Sequence, residues 1–432
     1  MASGVDKLLR KAGKKYQEGS PRAAASIYKK ILARDPSHLD ANYLLGAIYA
    51  EQGQLETALK FTRSAANINP NSPWVQNNLG NLLRLKGKYA AAVTAYKKAI
   101  ATKPDLAEAH SNLGIAHYRL GHVDEAIQAY EQALRLQPGL TQARLNLGGL
   151  LQDSAELATA AQCFQTVLNA DPQNLIALKG LAEIYLTQGE DAKAIEYFER
   201  CLTIDPQDPY GAQAKLAYLG RAKTPDKLPA TLIRDIYEKK ALNWDQNVTQ
   251  KEHQLFGADN IQQALQPLAL KNSSQQVLDL GCGTGACGTF LRSFATHLAG
   301  VDLSQAMLDV AAQKATYDQL NCDDAINYLQ LHPGRFSLIT ASAVLIFFGN
   351  LTPVLQAART ALLPGGYFVF TLYEGKEDYR VRHNFHYEHS QDYLRQASER
   401  AGLDLVKMNQ VVHELHEGEP QAGLVVTLSL PA

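Results

Sequence analysis

Val277-Leu-Asp-Leu-Gly-Cys-Gly-Thr-Gly-Ala-Cys-Gly288 is the stretch on which the reading of this chain turns. Val277 to Leu280 is short and mostly apolar, the pattern of a buried strand in a parallel sheet. Gly281, Gly283 and Gly285 follow, and without Cβ atoms they let the backbone approach a ligand closely. Ala286 to Phe294 is then predicted to be a helix whose first amides face that ligand. Strand, glycine loop and helix together describe a nucleotide site of the α/β class. Gly281-x-Gly283-x-x-Ala286 satisfies the nicotinamide-dinucleotide fingerprint, with Asp302 near the distance of its ribose-binding acid. A glycine turn with a purely structural purpose is the plain alternative.

Two further features separate these readings. Asp279 precedes the first glycine by two residues, and the glycines run on as Gly-x-Gly-x-Gly, with Asp302 closing a second predicted strand, His297 to Asp302. This form resembles the first motif of the class I S-adenosylmethionine-dependent methyltransferases. The resemblance implies an α/β Rossmann-like domain and S-adenosyl-L-methionine as cofactor. It places Asp279, Gly281, Cys282, Gly283 and Gly285 at the cofactor, and Asp302 with Leu303 at its ribose. One carboxylate can accept from both ribose hydroxyls. A third strand, Tyr317 to Asn321, ends at Cys322-Asp-Asp-Ala325, where the family places an acid for the adenine amino group; Asp324 with Ala325 is the match. An acid favoured by a helix dipole is the alternative for Asp324. The fourth strand is Phe336 to Ala341, and Ser342 leaves its carboxyl end. Leu363-Pro-Gly-Gly366 resembles the turn before the fifth strand, Tyr367 to Tyr373. Leu403 to Val412 and Leu424 to Leu430 supply two more strands, the last antiparallel. In an open parallel sheet ligands lie beyond the carboxyl ends of the strands, where these residues fall.

The other half of the chain repeats. Pro36, Pro70, Pro104, Pro138, Pro172 and Pro206 stand 34 residues apart. Gly46, Gly80, Gly114 and Gly148 share a register, with Ala182 in the last repeat. Ala24, Ala58, Ala92, Ala126, Ala160 and Ala194 form a second column. Tyr28, Tyr96, Tyr130, Phe164 and Phe198 form a third, broken at Thr62. Small residues let paired helices approach, aromatics fill the joint, and proline marks the step between repeats. Over residues 5 to 206 this resembles the tetratricopeptide family. The resemblance implies an α-helical solenoid of six repeats, with Pro209 to Arg221 as a capping helix. Asn78, Asn112 and Asn146 stand in one column, each followed by Leu-Gly, at a position that faces the groove in that family. Their amides can bond a peptide backbone whatever its sequence, so the array is expected to take a protein or peptide partner; a merely habitual asparagine is the alternative.

Domains are accordingly expected at 1–222 (repeats), 223–260 (linker and lid) and 261–432 (methyltransferase). Lys223 to Pro229 reads as a linker. Ala230 to Leu242 carries a helical apolar stripe, and Tyr237-Glu-x-x-Ala-x-x-Trp244-Asp resembles the segment that folds over the cofactor as a lid, making Tyr237 and Trp244 cofactor contacts. Ile261 to Leu270 is a helix leading into the first strand.

Composition bounds the function. The chain has 432 residues, 46% apolar and 20% charged, and a formal net charge of −1. That balance disfavours nucleic acid as a partner. No apolar stretch has membrane-spanning length, and five cysteines without ligand spacing point to a reducing, cytoplasmic setting with no metal site. Glu374 to His389 crowds together Arg380, His386 and His389 after the fifth strand, so it should overhang the acceptor: His386 or His389 as base, Arg380 for an acidic acceptor. Asp378-Tyr-Arg followed by Tyr387-x-His-Ser resembles a bacterial group of methyltransferases that carry tetratricopeptide repeats. A methyltransferase recruited by its array to a protein is the leading expectation. The alternatives are a small, acidic metabolite as acceptor with the array used for assembly, and a scaffold whose cofactor domain does not turn over.

Overall fold

The computed structural model describes residues 4–241, 244–248, 254–268, 270 and 275–432. The chain divides into two compact units, Met1–Gln188 and Gly189–Ala432.

The first unit is built of helices of 12 to 14 residues: Gly4–Gln17, Pro21–Leu32, Leu39–Glu51, Leu55–Ile68, Pro73–Leu85, Tyr89–Thr102, Ala107–Arg119, Val123–Leu136, Thr141–Asp153, Leu157–Ala170 and Leu175–Thr187. The glycine and aromatic columns turn out to be two sides of one contact. A Cβ on Gly80 would stand 2.5 Å from the Tyr96 ring, one on Gly114 2.8 Å from Tyr130, and one on Gly148 2.9 Å from Phe164. Gly46 faces Thr62, the position where the aromatic column breaks. Tyr96 is fully buried and its hydroxyl donates to Asn81 Oδ1 at 2.7 Å, so the ring has no free direction to move. Gly80→Ala is therefore expected to cost about 1–3 kcal/mol by overpacking, read as a lowered urea midpoint of fragment 1–188.

The prolines have a second use. Asn42 Nδ2 donates to the Pro36 carbonyl at 3.0 Å, Gln76 Nε2 to Pro70 at 2.9 Å, and Arg144 Nη2 to Pro138 at 2.8 Å. His110 Nε2 lies 3.0 Å from the Pro104 carbonyl in the same register. Four different side chains, alike only in carrying an N–H, clasp the turns at these four prolines.

The second unit opens with helices Asp191–Ile204, Ala212–Tyr218 and Ala230–Lys240. Its sheet contains β1 (Gln275–Leu280), β2 (Ala295–Asp302), β3 (Gln319–Cys322), β4 (Phe336–Ala341), β5 (Leu362–Glu374), β6 (Tyr379–Val381), β7 (Tyr387–His389), β8 (Asp404–His416) and β9 (Glu419–Ser429). The parallel order is β3-β2-β1-β4-β5; β9 adds antiparallel to β5, and β8 to β9. β4 pairs with β5 as far as Phe370, and β7 takes up that edge at Tyr373 and Glu374. Within Glu374 to His389, expected to overhang the acceptor, residues 379–389 form a small hairpin continuing the sheet. Leu278, Leu280, Ala299, Ile339, Phe368 and Phe370 are fully buried, as strands covered on both faces require.

Three local expectations change. Ala286 to Phe294 is not one helix: Gly285 N donates to the Cys282 carbonyl and Gly288 N to Gly285, and only Gly288–Leu291 is α-helical. Pro209 to Arg221 does form a helix, Ala212–Tyr218, started by Asp208, whose carboxylate accepts from Ala212 N at 2.6 Å and Gln213 N at 2.9 Å. Its Ala214 lies in the same apolar core as Leu278 and Phe370. Lys223 to Pro229, read as a linker, is bonded to the sheet unit: Asp226 O accepts from Gly349 N and Asn350 N, Pro225 O from Tyr387 Oη, and Leu228 N donates to Phe347 O. Proline and charge there mark an extended segment with its own partners. Among the described residues no helix is long and apolar enough to cross a membrane.

Candidate functional site

A cavity of about 550 Å³ opens in the second unit beyond the carboxyl ends of β1, β2 and β4. Its floor is the glycine loop. Gly281 has φ +65, and a Cβ there would run into Val344. Gly283 has φ +54 and nothing within 4 Å of where its Cβ would stand, so its backbone faces open space. Gly283 N donates to Asp302 Oδ2 at 2.9 Å, and Ser304 N to Asp302 Oδ1 at 2.8 Å. Loop and second strand are thereby locked in one geometry. Burial raises the Asp302 carboxyl above the ordinary carboxylate range, while those two amides hold it down.

Asp279 is deeper still. Its Oδ2 accepts from Tyr317 Oη at 2.7 Å and its Oδ1 from Thr340 Oγ1 at 3.2 Å. Burial pushes its carboxyl up to about 7 against the pull of both bonds. Tyr317, expected within the third strand, precedes it and turns back under the loop. Cys282, Leu303, Ala325 and Ser342 line the cavity, and burial raises the thiols of Cys282 and Cys287 far above their usual range. Gly285 does not face the cavity; it packs on Tyr317. Asp323 and Asp324 both line it, and Asp324 also caps helix Ala325–Leu331, its Oδ1 accepting from Ile326 N at 3.0 Å.

The expected lid lies over this floor. Tyr237 and Trp244 line the cavity with ring centroids 5.3 Å apart. Glu238 accepts from Ser304 Oγ at 3.2 Å, and Asp245 pairs with Lys314 at 2.7 Å and accepts from Thr284. Leu242, Asn243 and 249–253 of the same segment lie outside the described residues.

The opposite wall carries Phe347, Tyr373, His386, His413, Glu414 and Lys240. His386 Nδ1 is 3.2 Å from Tyr373 Oη, and the two rings stack with centroids 5.4 Å apart. His413 meets Tyr373 edge-on at 4.3 Å. Burial pushes His386 down to about 3 and His413 to about 4, so both are neutral imidazoles at pH 7. The other two acceptor-side expectations do not reach the cavity. His389 is fully buried behind the wall, its Nε2 3.0 Å from the Gly349 carbonyl, because its strand position points away from His386. Arg380 is half exposed on β6 beside Glu377. Sequence reasoning missed His413 and Glu414 because β8, expected to stop at Val412, runs on to His416.

In the first unit Asn78, Asn112 and Asn146 keep one register on three successive first helices and are half-buried. Each has a partner within the array. Asn112 Nδ2 donates to Asn77 Oδ1 at 3.3 Å, Gln142 Nε2 donates to Asn146 Oδ1 at 2.9 Å, and Asn78 bonds the Tyr43 hydroxyl.

Residues 241–408 match a family model described as a methyltransferase domain, and 15–81, 80–121, 107–140 and 145–209 match tetratricopeptide-repeat models. A ubiquinone biosynthesis O-methyltransferase of Coxiella burnetii is 31% identical over 118 residues, covering 25% of this chain and 50% of that protein. A malonyl-(acyl-carrier protein) O-methyltransferase of Brevibacillus brevis is 25% identical over 173 residues, covering 38% and 60%. The chain spans about half the length of the first of these relatives. Among solved structures, pilF of Pseudomonas aeruginosa aligns over 47% of this chain and 92% of its own, at 22% identity and a TM-score of 0.43. YrrB, a TPR protein with an unusual peptide-binding site, aligns over 42% and 94%, at 21% identity and 0.38.

Proposed function

We propose, for a chain that joins tetratricopeptide repeats to a methyltransferase domain, that it is an S-adenosylmethionine-dependent O-methyltransferase acting on a small molecule, with the array binding a protein partner. One observation carries the cofactor assignment: Asp302 is held at the cavity by the amides of Gly283 and Ser304, beside a glycine whose missing side chain leaves the space open. The donor set fits the group. Carboxylates at Asp302 and Asp324 suit a ribose diol and an exocyclic amine, and Leu303 and Ala325 offer apolar surface for a flat base. When bound, the cofactor supplies an electrophilic methyl on a sulfonium whose leaving group needs no acid.

The chain's own work is then to bind, align and dry. The glycine loop and Asp302 fix one reactant, and Tyr237 and Trp244 exclude water over it. The aromatic wall of Phe347 and Tyr373 presents the acceptor. A deep apolar chamber supports a small acceptor over a folded protein surface, and the half-buried asparagines, each already bonded within the array, leave partner binding to the array as a whole.

Asp302→Ala is expected to weaken S-adenosylhomocysteine binding at least tenfold, about 1.4 kcal/mol. Titration calorimetry reads this directly. Tight nicotinamide-dinucleotide binding with none of S-adenosylhomocysteine would overturn the assignment.

A further inference from the structure

We propose that Glu414 is the proton acceptor of the acceptor pocket and that the pocket takes an apolar small molecule presenting a neutral hydroxyl. This rests on the methyl-transfer reading above and names its acceptor class.

The argument starts from which nitrogen of His386 carries a proton. His386 N donates to Asn384 Oδ1 at 3.2 Å, and an amide N–H can only donate, so the Asn384 oxygen must face it. The Asn384 Nδ2 is therefore the atom 3.1 Å from His386 Nδ1. Nδ1 is thus an acceptor, and the neutral ring carries its proton on Nε2. A ring in that state, pushed down to about 3 by burial, donates from Nε2 and is a weak base. Burial likewise pushes His413 down to about 4, which leaves its ring a weak base.

Tyr373 does not serve either. Burial, and then the neighbouring Glu414 carboxylate to which it is hydrogen-bonded, raise its phenol above the ordinary value. With the His386 Nδ1 lone pair facing Asn384, the Tyr373 proton points to Glu414. Glu414 is half-buried at the end of β8 and accepts only. Asp279, Asp302, Asp323 and Asp324 line the glycine-loop side of the cavity; on the aromatic side Glu414 is the carboxylate among the described residues.

The same placement sets the acceptor class. A carboxylate acceptor would meet the charge of Glu414, and Arg380, the cation expected to hold it, stands elsewhere. Arg382 lies over the Tyr373 ring at 4.8 Å and donates to Gln421 at 2.7 Å. Lys240, at the rim, is answered electrostatically by Glu414. The remaining wall is apolar: Leu228, Ile233, Val248, Leu255, Phe347 and Phe348. An apolar body with one hydroxyl satisfies all of this. In the step, the hydroxyl oxygen's lone pair forms the O–C bond, the C–S bond breaks with its pair on sulfur, and the hydroxyl proton passes to a Glu414 oxygen. The products are a methyl ether, a neutral thioether and a protonated Glu414.

The test uses the full chain with 4-octylphenol, 4-octylbenzoate and a ring-fluorinated octylphenol that is ionised at neutral pH. Calorimetry with S-adenosylhomocysteine comes first; absence of binding there sinks the methyl-transfer reading itself. On the loaded protein, Trp244 fluorescence in a Trp74→Phe background should report the phenol at least tenfold tighter than the benzoate. Glu414→Gln should bring the two within about threefold by admitting the benzoate. With labelled S-adenosylmethionine, Glu414→Gln should lower kcat on octylphenol about 100-fold, but less than tenfold on the pre-ionised analogue. Equal affinities in the unaltered chain, a ratio unchanged in Glu414→Gln, an equal kcat loss on both phenols, or no transfer to either would each overturn the proposal while leaving the cofactor assignment standing.

Discussion

A fragment of residues 189–432 is expected to be soluble and to melt cooperatively, whereas 224–432 is expected to be insoluble or to lack a cooperative transition. The two differ by residues 189–223, which hold helices Asp191–Ile204 and Ala212–Tyr218, and the second of these is largely buried. Ala212, Ala214 and Leu216 are at most 3% exposed. Lys215 is buried too: its Nζ donates to the His383 carbonyl at 2.6 Å and lies 4.1 Å over the Phe385 ring. Phe385 has φ +67, a conformation held by what packs on it. Apolar burial and charge-assisted bonding of this kind total on the order of 5 kcal/mol, comparable with the whole stability of an ordinary domain. Cutting at 223 also leaves Pro225 and Asp226, whose carbonyls bond to the sheet unit, beside a free terminus. We therefore propose the boundary at Gln188/Gly189. A cooperative melt from 224–432 equal to that of 189–432 would return it to 222.

The second large effect is on pH. Asp279 titrates near 4 in an unfolded chain and at about 7 in the folded one. The folded state holds the proton more tightly, so this carboxyl's contribution is fully present below pH 4 and is lost as pH rises through 7. Between pH 5 and 8 the ligand-free protein should lose roughly 2–3 kcal/mol from this group. Asp279→Asn should remove that loss, so the variant gains on the unaltered chain as pH rises. The depressed histidines His386, His389 and His413 act oppositely, destabilising the fold as pH falls below 6.5; they are common to both proteins and cancel in the difference. Urea unfolding at several pH values measures it. Parallel pH profiles would show that Asp279 is already ionised in the folded state.

The parts legible in the sequence were those where one residue type meets one geometric demand. The glycines of 281–285 announced a turn of bare backbone, and the 34-residue columns announced helix pairs. That Gly80 and Tyr96 are halves of one joint was not visible, since the two lie on different helices. The proline clasp was hidden for another reason. Asn42, Gln76, His110 and Arg144 share a donor and nothing else, so no letter repeats. On the acceptor wall, His386 was legible from crowding, but its protonation is set by Asn384, and His389 three residues on faces the other way. Glu414 had no signal at all: a single acid near the end of an alternating strand reads as a solvated edge.

The clasp between Lys215 and the His383 carbonyl spans 168 positions of chain, and that separation has a cost in time. A polypeptide leaves the ribosome at about 5–20 residues per second. Helix Ala212–Tyr218 therefore emerges roughly 8 to 34 s before the hairpin that will cover its apolar face. During that interval the preceding repeats, whose contacts are local, are already made, and the nascent chain carries one unfinished, greasy end. Synthesis order thus makes this short helix the place where a holding chaperone, or premature association between neighbouring nascent chains, would act first.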